Sequence, residues 1–177
     1  MALIIMDLLE VMLKRRSVRE YTSENISEDK LNKIVTAGLL APTSRNRKPC
    51  EFAVVQDKNI LNKLSKSKKA GSAMLKDANA AIVVFADSTK ADTWIEDSSI
   101  ALTYMDLMAA QLDIGSCWCQ SHLRFSEDGT SSEEVIRNIL SIDDKYRIVG
   151  ILSLGISKNK PEKHQLSQLD KDKVRYL

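Results

Sequence analysis

A single compact domain combining helices with a few strands is expected of this chain, for three reasons. Its 177 residues are 44% hydrophobic and 28% charged, enough apolar surface to bury one core without disulfides or structural metal. The run 80–86 is uninterruptedly apolar and rich in Ile and Val, the mark of a strand covered on both faces. Residues 92–113 carry Trp94, Ile95, Ala101, Leu102, Met105, Met108, Ala109 and Leu112 around more than one face of a helix, which places that helix centrally.

The remaining elements follow in order. Ile5, Leu8, Leu9, Met12 and Leu13 stand at helical spacing, and Lys14, Arg15 and Arg16 close that helix at the end its dipole favours for cations. Ser27, followed by Glu28 and Asp29, caps a second helix with Leu31, Ile34, Val35 and Leu39 as its buried stripe; Pro42 ends it near Leu40. Residues 43–49 form a polar, basic loop, 52–55 a short strand, and Ile60, Leu61 and Leu64 a third helix solvated by lysines 58, 63, 66, 68 and 69. Gly115 suits the position just past the central helix. An extended segment over 117–125, a loop over 127–132, a helix over 133–140 and a strand over 147–156 complete the domain. The expected division is one domain over 1–156 and a polar tail over 157–177, packed on its own or a partner subunit.

Charge and cysteine content exclude several classes. The 26 basic and 24 acidic side chains leave a net charge of +2, too little for a protein built chiefly to hold nucleic acid. Cys50, Cys117 and Cys119 form an odd set with no disulfide framework, which fits a reducing cytoplasm. Asp7 and Glu10 interrupt the apolar start against the pattern of an export signal, and no uncharged apolar run is long enough to span a bilayer. His122 and His164 are the only histidines, and no ligand pairs stand at finger-like spacing, so no metal is expected.

Three clusters carry the chemistry. Arg15, Arg16, Ser17 and Arg19 gather donors where a helix meets an extended segment; guanidinium forks and a hydroxyl suit a phosphate monoester, and a solvated helix end is the plain alternative. Pro42, Thr43, Ser44 and Asn46 lie on a loop braced by Pro42 and Pro49, either a polar ligand contact or a connector. Gly115 and Ser116 lead into Cys117, Trp118, Cys119, Gln120 and Ser121, able to line a flat aromatic ligand or simply to fill the core.

Together these clusters resemble the FMN-dependent nitroreductase family over nearly the whole chain. Residues 15–21, Arg-Arg-Ser-Val-Arg-Glu-Tyr, resemble its amino-terminal signature, residues 41–46 its second, Gly115-Ser116-Cys117-Trp118 its third, and Gly155 with the basic tail its ending. The resemblance implies an α+β fold, with a mixed, mainly antiparallel central sheet flanked by helices, and an obligate homodimer with FMN at the subunit interface. It implies that Arg15, Arg16 and Ser17 hold the FMN phosphate and ribityl chain, and that Arg19 approaches the pyrimidine edge of the ring. Pro42, Thr43, Ser44 and Asn46 would come from the partner subunit. Trp118, Cys119, Gln120 and Ser121 would run beside the ring with a backbone N–H near N5, and Lys163 and His164 would lie near the phosphate.

Lys48, Cys50 and Thr43 depart from the residues this family more often carries, and in the stretch 69–76 Ser72 is the sole polar candidate besides lysine for a ring contact. The implied activity is hydride transfer from NAD(P)H through flavin N5 to an oxidised acceptor such as a nitroaromatic or quinone, by ping-pong kinetics and with no catalytic side chain. A flavin-binding regulator or a specialised, dehalogenase-like member without general NAD(P)H reductase activity is the alternative. No nucleic acid or membrane partner is expected.

Overall fold

A computed structural model describes residues 7–177; Ile5 of the expected first helix lies outside them. Four strands, β1 (Cys50–Val55), β2 (Ala80–Asp87), β3 (Gly115–Gln120) and β4 (Tyr146–Gly155), form one sheet in the order β1-β2-β4-β3. All three ladders are antiparallel. The mixed character expected of the sheet reduces to one parallel bridge, between Ser17 and Ser116, outside the ladders.

Every residue of β2 is buried, as its unbroken apolar run requires. Its alternate residues face two cores. Ala81, Val83 and Phe85 pack with Leu61, Leu64, Leu75 and Ile136 from α3 (Lys58–Leu64), a short 3-10 turn (Ala73–Asp77) and α5 (Ser132–Leu140). Ala80, Ile82, Val84 and Ala86 pack on the other side with Leu31 and Ile34 of α2 (Glu28–Leu39) and with Leu102, Met105 and Ala109 of α4 (Trp94–Gln111). Burying each such Leu or Ile contributes about 2 kcal/mol. Helix α4 is therefore central, as its apolar residues imply.

Several expectations are corrected. In α1 (Leu8–Lys14) only Val11 and Leu13 are buried, while Leu8, Leu9 and Met12 are exposed; Leu39 of α2 is exposed as well. Gly115 does not end α4. The left-handed residue there is Asp113 at φ 58°, and Gly115 opens β3, where a Cβ would come within 2.9 Å of Val18 Cγ1. The extended segment stops at Gln120, because Leu123 turns left-handed at φ 56°. The lysines around α3 do not all solvate it: Lys58 Nζ donates to Ala78 O at 2.6 Å and Lys68 Nζ to Gln120 O at 2.8 Å. Among the described residues, no helix is long and apolar enough to cross a membrane.

Candidate functional site

The chain leaves α1 at Arg15 and runs extended along the outer edge of β3. Val18 N–H donates to Ser116 O at 2.8 Å, and the Tyr21 hydroxyl meets Ser153 Oγ at 2.7 Å, anchoring the segment to β4. Arg15 and Arg16 thereby line a groove of about 400 Å³ with Lys14, Gly115, Ser116, Asn159, Lys160 and Pro161. Lys14 pairs with Asp113 across it. Four cations around one shallow space form a donor set suited to an anion with several oxygens. Ser17 and Arg19 line an adjoining hollow, and both are exposed.

Behind Arg15 lies a carboxyl that the sequence reading passed over. Asp106 projects from α4, accepts a hydrogen bond from Ser116 Oγ at 2.5 Å and lies 3.5 Å from Arg15 Nη1. Burial raises its pKa, against the opposing pull of Ser116 and Arg15. An acid inside the apolar run of a central helix was the available signal.

The tail folds back along α1. Lys158 N–H donates to Glu20 O, Arg16 to Glu162 O, and His164 N–H to Leu13 O at 2.8 Å. Lys163 is close in chain but turned aside, its ammonium 3.2 Å from Glu10, and Lys160 supplies the tail's cation to the groove. Residues 165–177 are exposed, Leu166, Leu169, Val174 and Tyr176 included.

Along β3 the side chains alternate. Cys119 and Ser121 face the interior and are buried, whereas Trp118 and Gln120 are half-buried, with Trp118 Nε1 donating to Gln120 Oε1 at 3.0 Å. The side chains of Cys119 and Ser121 therefore fill the core, one of the two alternatives the sequence leaves open for this segment. Ser121 N–H and His122 N–H both donate to Val149 O, so the antiparallel alternation turns the Gln120 N–H off the open edge of β3. Lys68, held at the Gln120 carbonyl, has its pKa lowered by burial and adds a cation beside this edge. Ser72 is buried, and its hydroxyl donates to Ser65 O at 2.8 Å.

The remaining cluster is elsewhere. Thr43 Oγ1 accepts from Lys48 N–H at 3.0 Å, and Ser44 N–H donates to Asp97 Oδ1 at 3.0 Å, fixing the loop to the first turn of α4. Arg45, Asn46 and Lys48 take φ of 52°, 53° and 48°, and Pro42 and Asn46 are exposed. Asp97 and Asp106 are nine residues apart on one helix, about 13 Å along its axis. Within one chain Pro42, Thr43, Ser44 and Asn46 are therefore not brought to Arg15, Arg16 and Ser17. Between α1, α2 and α4 lies an apolar groove of about 570 Å³ lined by Leu8, Met12, Leu40, Tyr104 and Met108, with Leu40 72% exposed.

Known proteins share this frame. The Nitroreductase family model matches residues 12–71 and 66–156. A solved FMN-dependent nitroreductase from Clostridium difficile R20291 is 41% identical, superposes with a TM-score of 0.93 and covers 95% of this chain and 98% of its own. A protein of Archaeoglobus fulgidus, named provisionally as an NADH dehydrogenase/NAD(P)H nitroreductase, is 34% identical over 158 residues, 87% of each chain. A Parabacteroides distasonis structure with the same provisional name is 27% identical, with a TM-score of 0.86 and 96% of both chains covered. With its described strands and helices in this arrangement, the chain belongs to the nitroreductase family.

Proposed function

We propose that this protein is an FMN-dependent oxidoreductase that works as a homodimer. The observation that carries the reading is the cationic groove formed by Arg15, Arg16 and Lys160 at the outer edge of β3, where the extended segment after α1 joins Ser116. Its donor chemistry fits a phosphate monoester, and the 41% identical relative is named as FMN-dependent. When bound, FMN supplies a ring that accepts hydride from NAD(P)H at N5 and passes it to an oxidised acceptor, such as a nitroaromatic or quinone, in a ping-pong sequence.

The chain's own residues bind and orient. Arg15, Arg16 and Ser17 hold the phosphate end, with Lys160 in the place expected of Lys163 and His164. Arg19 and Lys68 set fixed positive charge where negative charge would grow on a reduced ring, stabilising it without reorganisation. The Gln120 N–H, directed off the β3 edge, is a donor for a ring nitrogen, and Trp118 shields the same edge from water.

The dimer is supported by the separation of Ser44 from Arg15. A second copy seated on the apolar face around Leu8, Met12, Leu40 and Tyr104 brings its own Pro42–Asn46 loop to the first copy's groove, and residues 157–177 lie at the border of that contact. The deciding experiment is a visible absorption spectrum before and after anaerobic addition of NADH and of NADPH. A yellow protein bleached by either donor is expected; a colourless protein unable to take up added FMN overturns the reading.

A further inference from the structure

Resting on the flavin reading, we propose that Asp106 is a positioning residue for the phosphate site, acting through Arg15. Arginine has a long, flexible side chain, and an anion site needs its fork fixed before the ligand arrives. On the groove side, Arg15 is partly exposed; its charged neighbours are the cations Lys14, Arg16 and Lys160 and the carboxylate of Asp113, which is already paired with Lys14, so none of them can hold the guanidinium in place. The carboxylate oxygen 3.5 Å from Nη1 is the group that can.

Asp106 is itself fixed. Its second oxygen accepts the Ser116 hydroxyl, and its side chain is only 13% exposed. Ser116 in turn is held by the Val18 N–H at its carbonyl and by β4 along its strand. A chain of contacts thus runs from the sheet through Ser116 and Asp106 to Arg15. One Nη of the guanidinium is engaged from behind, which leaves its other N–H groups for an anion in the groove.

A carboxylate also lowers the net positive charge of the site, so its two effects on an anion oppose each other. Orientation dominates here because Asp106 stands behind Arg15 rather than beside the groove: it does not line that space. Its influence is expected to be confined to the phosphate and absent for the ring. Riboflavin, which has the ring and ribityl chain but no phosphate, separates the two.

The test is a fluorescence-quenching titration of flavin-stripped, full-length protein with FMN and with riboflavin, comparing the wild type with Asp106→Asn. The substitution keeps the shape and a partner for Ser116 while removing the charge that holds Arg15. FMN affinity should fall about tenfold with riboflavin affinity unchanged, the size typical of removing the support behind a ligating group. Ser116→Ala should give a smaller loss of the same kind, and it decides the matter should Asp106→Asn not fold. An equal loss for both ligands marks a merely structural role, and unchanged or tighter FMN binding shows that the carboxylate does not position Arg15; each overturns the proposal. A wild type that binds neither flavin overturns the flavin reading itself, which distinguishes that failure from this one.

Discussion

Glu133 and Arg147 form a two-pronged ion pair, with Nε to Oε2 at 2.9 Å and Nη2 to Oε1 at 3.0 Å. The same carboxylate accepts the Ile148 N–H at 2.9 Å and faces His122 Nδ1 at 2.8 Å, so one buried side chain ties α5 to β4 and to the turn after β3. The Arg147 guanidinium lies over Trp94, 5.2 Å from the ring centroid, and Trp94 meets His122 edge-on. The network joins both faces of the sheet.

Glu133→Gln should destabilise the protein by about 2 kcal/mol, since it removes one charge from a buried cluster and leaves Arg147, which is partly exposed, to be solvated. Burial alone would raise the Glu133 pKa, but the Arg147 side chain, the Ile148 N–H and His122 together hold it below the usual range. Its stabilising contribution is therefore complete above the unfolded pKa and lost as pH falls through the lower, folded value. Urea unfolding at pH 7 and pH 3 should show the gap between wild type and Glu133→Gln narrowing in acid. A gap that stays constant contradicts this assignment.

Cys117 and Cys119 are predicted to be packing groups rather than redox agents. Burial raises both thiols, that of Cys119 to about 12, and Cys119 Sγ lies 3.6 Å from Met74 Sδ in the core. At pH 8, iodoacetamide should modify them much more slowly in the native protein than in urea. The Cys117→Ala, Cys119→Ala double variant should keep NAD(P)H-dependent flavin reduction within about twofold while losing about 2 kcal/mol of stability through small cavities. Loss of flavin reduction with the fold intact would give the thiols a chemical role.

Gly155→Ala is expected to damage stability and cofactor retention together. A Cβ there would strike the Tyr21 ring and lie 2.7 Å from Asn79 Oδ1. Neither can yield freely: Tyr21 is bonded to Val18 O and Ser153 Oγ, and Asn79 bridges Ile156 N–H and Thr22 O. Because Tyr21 anchors the segment that carries Arg15–Arg19, displacing it moves the cationic groove. A loss of about 2 kcal/mol in thermal unfolding, with weaker FMN binding, is expected.

What was legible in the sequence follows from which forces act locally. Apolar periodicity marks β2, α2 and α4 because burial of those residues is decided by their own spacing. The Arg15–Ser17 cluster was legible because three donors stand together in the chain. Asp106, Lys68 and Lys160 were not: each matters through a partner far along the sequence, Arg15, Gln120 and the α1 end respectively. The same holds for Glu133, which reads as an ordinary acidic first-turn residue until Arg147 and His122 surround it. The inward turn of Cys119 and Ser121 is set by the register of β3 on β4, and residue types alone do not reveal register. The path of the tail, which turns Lys163 to Glu10 and brings Lys160 to the groove, is not marked in the sequence because the tail has no periodicity.

Leu40→Glu tests whether the apolar face is the subunit contact. Leu40 is largely exposed, lines the groove with Leu8, Met12 and Tyr104, and stands two residues before Pro42. Exposed apolar side chains gathered on three helices form the kind of surface a partner covers, and a carboxylate forced into that contact costs several kcal/mol at the interface. The protein's own fold should survive, because Leu40 contributes little to the monomer's core. Light scattering at micromolar concentration should show the wild type as a dimer and Leu40→Glu as a monomer, with FMN lost in the same preparation because the Pro42–Asn46 loop of a second copy no longer covers the groove. A variant that becomes monomeric yet keeps FMN as tightly as wild type would show that one chain builds the whole site, and the separation of Ser44 from Arg15 would then carry no functional meaning.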